Sequence, residues 1–210
     1  MKPQVTTEHH QGQAKIFNNA TLEKFTKSSL KSSVFFYGSI IAILIFNALV
    51  VKHLPWITFI IVFGFALFFW TLAEYLLHRY LFHWLSDNKV LKRFHFIVHG
   101  SHHQYPRDTE RIVMPPLPGL ILIVILFTIF YLLFSLLGIV YYLWAFFPGF
   151  LFGYLLYSFL HRAIHVIKSP KRFKYLWKHH TFHHYKYPNK AFGVSTLFWD
   201  RLFGTMPPDK

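Results

Sequence analysis

The stretch LPGLILIVILFTIFYLLFSLLGIVYYLWAFFPGFLFGYLLYSFL, Leu117 to Leu160, holds no charged residue. A helix that crosses a hydrocarbon core about 30 Å thick needs about 20 apolar residues, so this run is about twice one crossing. It reads as two membrane spans with a turn near Gly138 or Pro148-Gly149, the residue types that end helices. Upstream, Val34 to Val51 is also free of charge, and Trp56 to Leu77 is interrupted only by Glu74. The predicted fold class is therefore all-α: a multipass membrane protein with about four transmembrane helices.

An even number of spans puts three segments on one side: the amino terminus, the stretch after Leu77 and the carboxy terminus. Of the 22 Lys and Arg, five precede the first span, six lie between Arg79 and Arg111, and ten follow Leu160. Only Lys52 falls in a loop on the opposite side. The positive-inside bias then predicts that all three basic segments are cytoplasmic, in the endoplasmic reticulum membrane or a bacterial inner membrane. The net charge of +14 belongs to these span-flanking residues, which anionic membrane lipids account for, so no nucleic-acid partner is expected. With no cysteine, thiolate nucleophiles and Cys-based metal sites are excluded. Residues 1–33 lack an apolar core near the start and do not read as a secretory signal. They are expected to form a flexible polar tail and an interfacial segment ahead of a membrane domain spanning 34–210.

Chemistry enters through ten histidines on the basic side: HRYLFH (His78, His83), HGSHH (His99, His102, His103), HRAIH (His161, His165) and HHTFHH (His180, His183, His184). Imidazoles three and four residues apart share a helix face, so each HxxHH triplet is expected to offer three nitrogens to a single point. His161 and His165 meet the same condition. His78 and His83, five apart, converge only if the helix ends or unwinds between them. Ten nitrogens exceed the four to six ligands of one ion and suit two. The order "two spans, then a histidine-bearing segment" occurs twice, so each half is expected to supply about half of one shared site in a helical cap.

Imidazole alone suits iron, zinc, copper or nickel, but a hydrolytic zinc site needs about three protein ligands. Ten favour a pair of irons that activates O2 against an unreactive C–H bond. Glu74 stands four residues before His78; it is expected either to accept a ligand's second ring N–H or to pair with Arg79. Asp108, near Arg111, is a further candidate for support of the ligands, with a solvated surface role as its alternative. His95 and His179 adjoin the clusters but stay outside the ligand set, and His9, His10 and His53 are given no role. A metal transporter or sensor would need polar ligands distributed through the spans, which are nearly free of them.

The strings HRYLFH, HFIVHGSHHQYPRDTERIVMPP (His95 to Pro116), GYLLYSFLHRAIH (Gly153 to His165) and KHHTFHHYKYPNKAFGVSTLFWDRLFGT (Lys178 to Thr205) resemble the fatty acid hydroxylase superfamily. The likeness is greatest to fatty acid 2-hydroxylases that act on ceramide-type lipids, over about residues 70 to 205. It implies a membrane monooxygenase with a di-iron centre, in which zinc can replace iron on isolation, acting at C2 of a fatty acyl chain, free or sphingolipid-linked. It places the ligands on the same ten histidines and implies no catalytic residue beyond them. Several eukaryotic members carry an amino-terminal cytochrome b5 domain, where this sequence has about 33 polar residues before its first span. Electrons are then expected from a separate carrier or reductase of cytochrome b5 or ferredoxin type. Desaturases and sterol or carotenoid hydroxylases are the neighbouring alternatives, although the corresponding desaturase box commonly begins with Asn where His161 stands.

Overall fold

A computed structural model describes residues 9–84 and 86–208; residues 1–8 of the expected tail lie outside the described residues. In chain order the helices are α1 (Ala20–Lys24), α2 (Leu30–Phe46), α3 (Trp56–Leu76), α4 (Lys89–His95), α5 (Ser101–Gln104), α6 (Pro116–Leu136), α7 (Val140–Val166), α8 (Lys174–Tyr185) and α9 (Phe198–Leu202). No strand occurs among the described residues. Wider π-type turns lengthen α2 through Val51, extend α3 through Phe82 and join α4 to α5 across Phe96–Gly100. The four membrane spans are Leu30–Val51, Trp56–Phe82, Pro116–Leu136 and Val140–Val166.

Local chemistry sets the ends of these spans. Ser29 caps α2 by accepting from the Ser32 N–H, and Ser32 returns a bond to the Ser29 backbone. Proline opens α6, where its missing N–H costs nothing. Of the two turns considered between α6 and α7, the chain uses Gly138, whose φ of +69° lets it reverse direction after α6. Pro148 lies inside α7 instead.

The reason for keeping Pro148-Gly149 helical is packing. A Cβ on Gly149 would sit 2.6 Å from the Phe63 carbonyl oxygen, and one on Gly153 would sit 2.6 Å from the Trp70 Cβ. These glycines let α7 press against α3, as small residues do where membrane helices meet. Around that seam Tyr37, Leu143, Phe146, Phe147 and Phe150 form a buried core. The opposite faces meet lipid: Leu136 is 84% exposed and Phe35 79%.

All four spans present the same end to a cap of short helices. Residues 9–28 do not hang free beside it. The His10 N–H donates to the Gln104 carbonyl at 2.7 Å, the Ala14 N–H to Asp108 Oδ2 at 3.0 Å, and the Ser28 hydroxyl to the Val113 carbonyl at 2.7 Å. Arg111 pairs with Asp108 at 2.7 Å and with Glu23. Burial alone would raise the Glu23 carboxyl, but N–H donors of Phe17 and Ile16 and the Arg111 guanidinium outweigh it and hold it below the usual range. The expected flexible tail is thus, from residue 9 onward, a strap bound by partners about 90 residues distant, which local composition does not disclose.

Candidate metal centre

Ten histidines meet beneath this strap in two sets of five. His78, His83, His99, His103 and His183 each offer a ring nitrogen to one set, and His102, His161, His165, His180 and His184 to the other. Within each set the donor atoms all lie within 4.8 Å of one another. In the first, Nε2 of His99 lies 3.0 Å from Nε2 of both His78 and His103. In the second, Nε2 of His165 lies 2.9 Å from that of His180 and 3.2 Å from that of His161. Donors about 2.1 Å from one ion and at right angles across it are about 3 Å apart, so both sets have the dimensions of a coordination shell.

Local helix geometry decides the partition and corrects the sequence reading of the triplets. Neither triplet points to a single place. His99 and His103, four apart, join the first set while His102 turns to the second; His180 and His184 join the second while His183 turns to the first. Each half therefore contributes four ring donors to its own set and one to the other. His78 and His83 converge because α3 widens at its end: a turn with i to i+5 bonds rotates less per residue and so brings residues five apart toward one face, and their ring centroids are 5.0 Å apart.

Electrostatics keep these rings in the ligating form. Burial first, and neighbouring imidazoles second, push His99, His102, His103, His180, His183 and His184 well below the ordinary imidazole range. They are neutral at physiological pH, as ligands must be. The tautomer is also set in places: His78 Nδ1–H donates to the Phe192 carbonyl at 2.5 Å and His183 Nδ1–H to the Lys190 carbonyl at 2.7 Å, which frees each Nε2. In the second set the Tyr157 hydroxyl lies 3.3 Å from His161 Nδ1, and Nδ1 of His180 and of His184 has no partner.

The loop that carries those two carbonyls is pinned by buried acids. Glu74 touches neither a ligand histidine nor Arg79; it accepts from the N–H groups of Val194 at 2.6 Å and Ser195 at 2.9 Å, and from the Ser195 hydroxyl. Asp200 accepts from the N–H groups of Phe192 and Gly193, from the Thr205 hydroxyl and from His179 Nε2. Asp108 is buried and bonded to the strap, not to a histidine. His179 therefore belongs to the Asp200 clamp, and the His95 ring packs against Gly100. His9 Nδ1 lies 2.9 Å from the His103 carbonyl oxygen, whereas His53 sits in the loop at the far end of the spans. Sequence reasoning missed Phe192 and Lys190, since a backbone carbonyl acts without any side-chain signature.

One space reaches the histidines and a second adjoins it. A cleft of about 380 Å³ is lined by His99, His102 and His161 below and by strap residues Phe17, Leu22 and Phe25 outside. A narrower apolar slot of about 80 Å³ lies between α2, α3, α6 and α7, and shares Phe82, Met114, Tyr154 and Tyr157 with the cleft. Phe82 stacks on His99 and Tyr157 on His161, each with centroids 5.3 Å apart, so the throat between the spaces touches both sets.

A family model described as fatty acid hydroxylase matches residues 63–205. The chain is 46% identical over 149 residues to the ceramide very long chain fatty acid hydroxylase SCS7 of Saccharomyces cerevisiae, covering 69% of this chain and 38% of that protein. It is 37% identical over 163 residues to the fatty acid 2-hydroxylase of Rattus norvegicus, covering 74% and 42%. The chain thus spans about two fifths of the length of these curated relatives. Among solved structures, one described as full-length scs7p with only the hydroxylase domain visible superposes with a TM-score of 0.84 at 37% identity, over 95% of this chain and 74% of that one. By fold, histidine pattern and sequence, the chain belongs to the fatty acid hydroxylase family.

Proposed function

We propose that this chain is a membrane-bound, O2-dependent oxidoreductase that hydroxylates C2 of a fatty acyl chain, free or in ceramide-type amide linkage. The observation that carries the reading is the throat. A chain that lies in the apolar slot and keeps its polar head in the cleft passes the Phe82–Tyr157 constriction near its head end, beneath both histidine sets. The named activities of the relatives support the same carbon. Residues 34–210 form the hydroxylase domain on this reading, with residues 1–33 as its lead segment.

His78, His83, His99, His103 and His183 hold one ion, and His102, His161, His165, His180 and His184 the other; iron is the expected metal, with zinc able to replace it on isolation. When bound, the iron pair supplies the redox chemistry by which one atom of O2 enters a C–H bond and the other leaves as water, with two electrons from a separate cytochrome b5-type or ferredoxin-type carrier. The remaining tasks fall to the chain. The Phe192 and Lys190 carbonyls aim the first set, Glu74 and Asp200 hold their loop, and Asp108 holds the strap that closes the cleft against water. The basic cap faces the cytoplasm, of the endoplasmic reticulum or a bacterial inner membrane, where it attracts an acidic electron carrier.

Lipid mass spectrometry of membranes from cells expressing the chain tests the assignment. Acyl chains gaining one oxygen at C2, absent with His102→Ala, are expected. A loss of two hydrogens would instead identify a desaturase, and oxygenated sterols or carotenoids would relocate the substrate. The histidines stand at the cap ends of α3 and α7 and on the cap helices, and are not distributed along the spans, which argues against a metal relay.

A further inference from the structure

The strap gives the cleft its outer wall. Phe17, Leu22 and Phe25 line that side, Ile97, Val98 and Val113 belong to the cap and its exit, and His102 and His161 complete the lining. All three strap residues precede the stretch 63–205 that matches the family model, so this wall lies outside the part of the chain that supplies the histidines. It is nevertheless firmly placed. The Glu23 carboxylate accepts from the Phe17 N–H at 2.7 Å and from the Ile16 N–H at 3.1 Å. Arg93 donates to the Ile16 carbonyl, and its guanidinium stands 5.4 Å from the centre of the Phe17 ring. A wall ordered before a ligand arrives spares the complex that ordering cost.

The chemistry of the cleft decides what it can hold. Apart from the histidines, Arg111 is the one cation among its lining residues, and that guanidinium is already paired with Asp108 at 2.7 Å and with Glu23. One positive and two negative groups leave a net negative neighbourhood, which disfavours a free carboxylate or a phosphate beside the strap. The wall itself is apolar, and its rim continues outward on Leu22 and Phe25, each about half exposed. Covering apolar surface stabilises a complex by about 25 cal/mol per Å², a contribution that a hydrocarbon group makes and a small polar head does not. An acyl chain that passes the Phe82–Tyr157 throat near C2 leaves its carbonyl, and whatever is bonded to it, on the cleft side.

We infer that Phe17, Leu22 and Phe25 are specificity-determining residues that seat a hydrocarbon group bonded beyond the substrate's carbonyl, so that the site prefers a neutral acyl amide with a long amine-side chain to a short-chain amide or the free acid. The inference rests on the acyl-hydroxylase reading above. The test gives membranes containing the full-length chain one saturated acyl group as its free acid and as amides from ethyl to octadecyl, and measures 2-hydroxy product relative to the amount of each substrate in the membrane. In wild type the octadecyl amide should exceed the ethyl amide by about tenfold or more, since apolar pockets discriminate single methylenes at about that level, with the free acid lowest. Phe17→Ala combined with Leu22→Ala should reduce that octadecyl-to-ethyl ratio by about tenfold. Leu22→Trp adds bulk at the half-exposed rim and should lower the ratio as well; it keeps the test decisive if the double variant folds poorly. A ratio taken within one membrane preparation does not move with the folded fraction, so a merely structural role for the strap would leave it at the wild-type value. A wild-type profile that is flat or falls with amine length, or a wild-type ratio in Leu22→Trp, overturns the wall while leaving the hydroxylase reading intact. No 2-hydroxy product from any substrate with wild type overturns that reading, and the wall with it.

Discussion

The two histidine sets have the same number of ligands and nearly the same dimensions, yet they are held in different ways. Two members of the first are aimed from outside: His78 and His183 donate to carbonyls of the 190–192 loop, and that loop hangs on Glu74 and Asp200, whereas Nδ1 of His83 and of His103 has no partner. The second is aimed chiefly from within, by helix spacing. His161 with His165 and His180 with His184 are i, i+4 pairs on α7 and α8, with only a long contact from Tyr157 behind them. One set thus depends on a carboxy-terminal clamp nearly 100 residues from most of its ligands, and the other on the rigidity of two helices.

The largest test of this contrast removes one ligand from each set. His99→Ala and His180→Ala should each abolish hydroxylated product and lower bound metal from about two ions per chain to about one, measured by elemental analysis of purified protein. Loss of both ions from either variant would show that the sets are not separately built. Next in size is Asp200→Ala, which leaves His179 and two backbone N–H groups without their buried acceptor. It should cost about 3–5 kcal/mol of stability and weaken metal binding at the first set about 10–100-fold, with the second set nearly unaffected.

The same carboxylate gives a pH prediction. Burial would raise Asp200, but bonds from His179, Thr205 and the Gly193 N–H prevail and hold it below the ordinary range. Its folded pKa is depressed, so its contribution to stability is present above the unfolded value of about 3.9 and is lost as pH falls through the lower folded value. Hydrogen-exchange protection of the Phe192 and Gly193 amides should therefore persist to about pH 4 and collapse only below it. Smallest is Tyr157→Phe, which removes one weak 3.3 Å contact at His161. Activity should fall by no more than about tenfold, the worth of a single net hydrogen bond of about 0.5–1.5 kcal/mol. A larger fall would mean that the second set also relies on support from outside.

Much of this was legible in the sequence because it is periodic or compositional. Uncharged runs located the spans, and the spacing of the histidines picked the ten that meet. What escaped depends on tertiary partners. The triplets look like three-ligand faces, but a helix that places His99 and His103 together leaves His102 about 60–100° away, free to serve a second ion. Glu74 was expected to reach a ring or Arg79 and reaches the amides of Val194 and Ser195, 120 residues on, because those amides are buried and need an acceptor. The segment ahead of α2 looks like a tail because its anchors, Asp108 and Arg111, lie beyond two spans. Pro148-Gly149 reads as a break in isolation and is a packing seam once α3 lies against it.

The crossed-over histidines bear on how the protein is made. His78, His83, His99 and His103 are all added to the chain before α6 begins, yet their fifth companion, His183, is added only after α7 is complete. His102 waits just as long for its four partners. A product truncated before His183 completes neither set of five rings, so the presence of both sets reports that both hairpins have been made and docked.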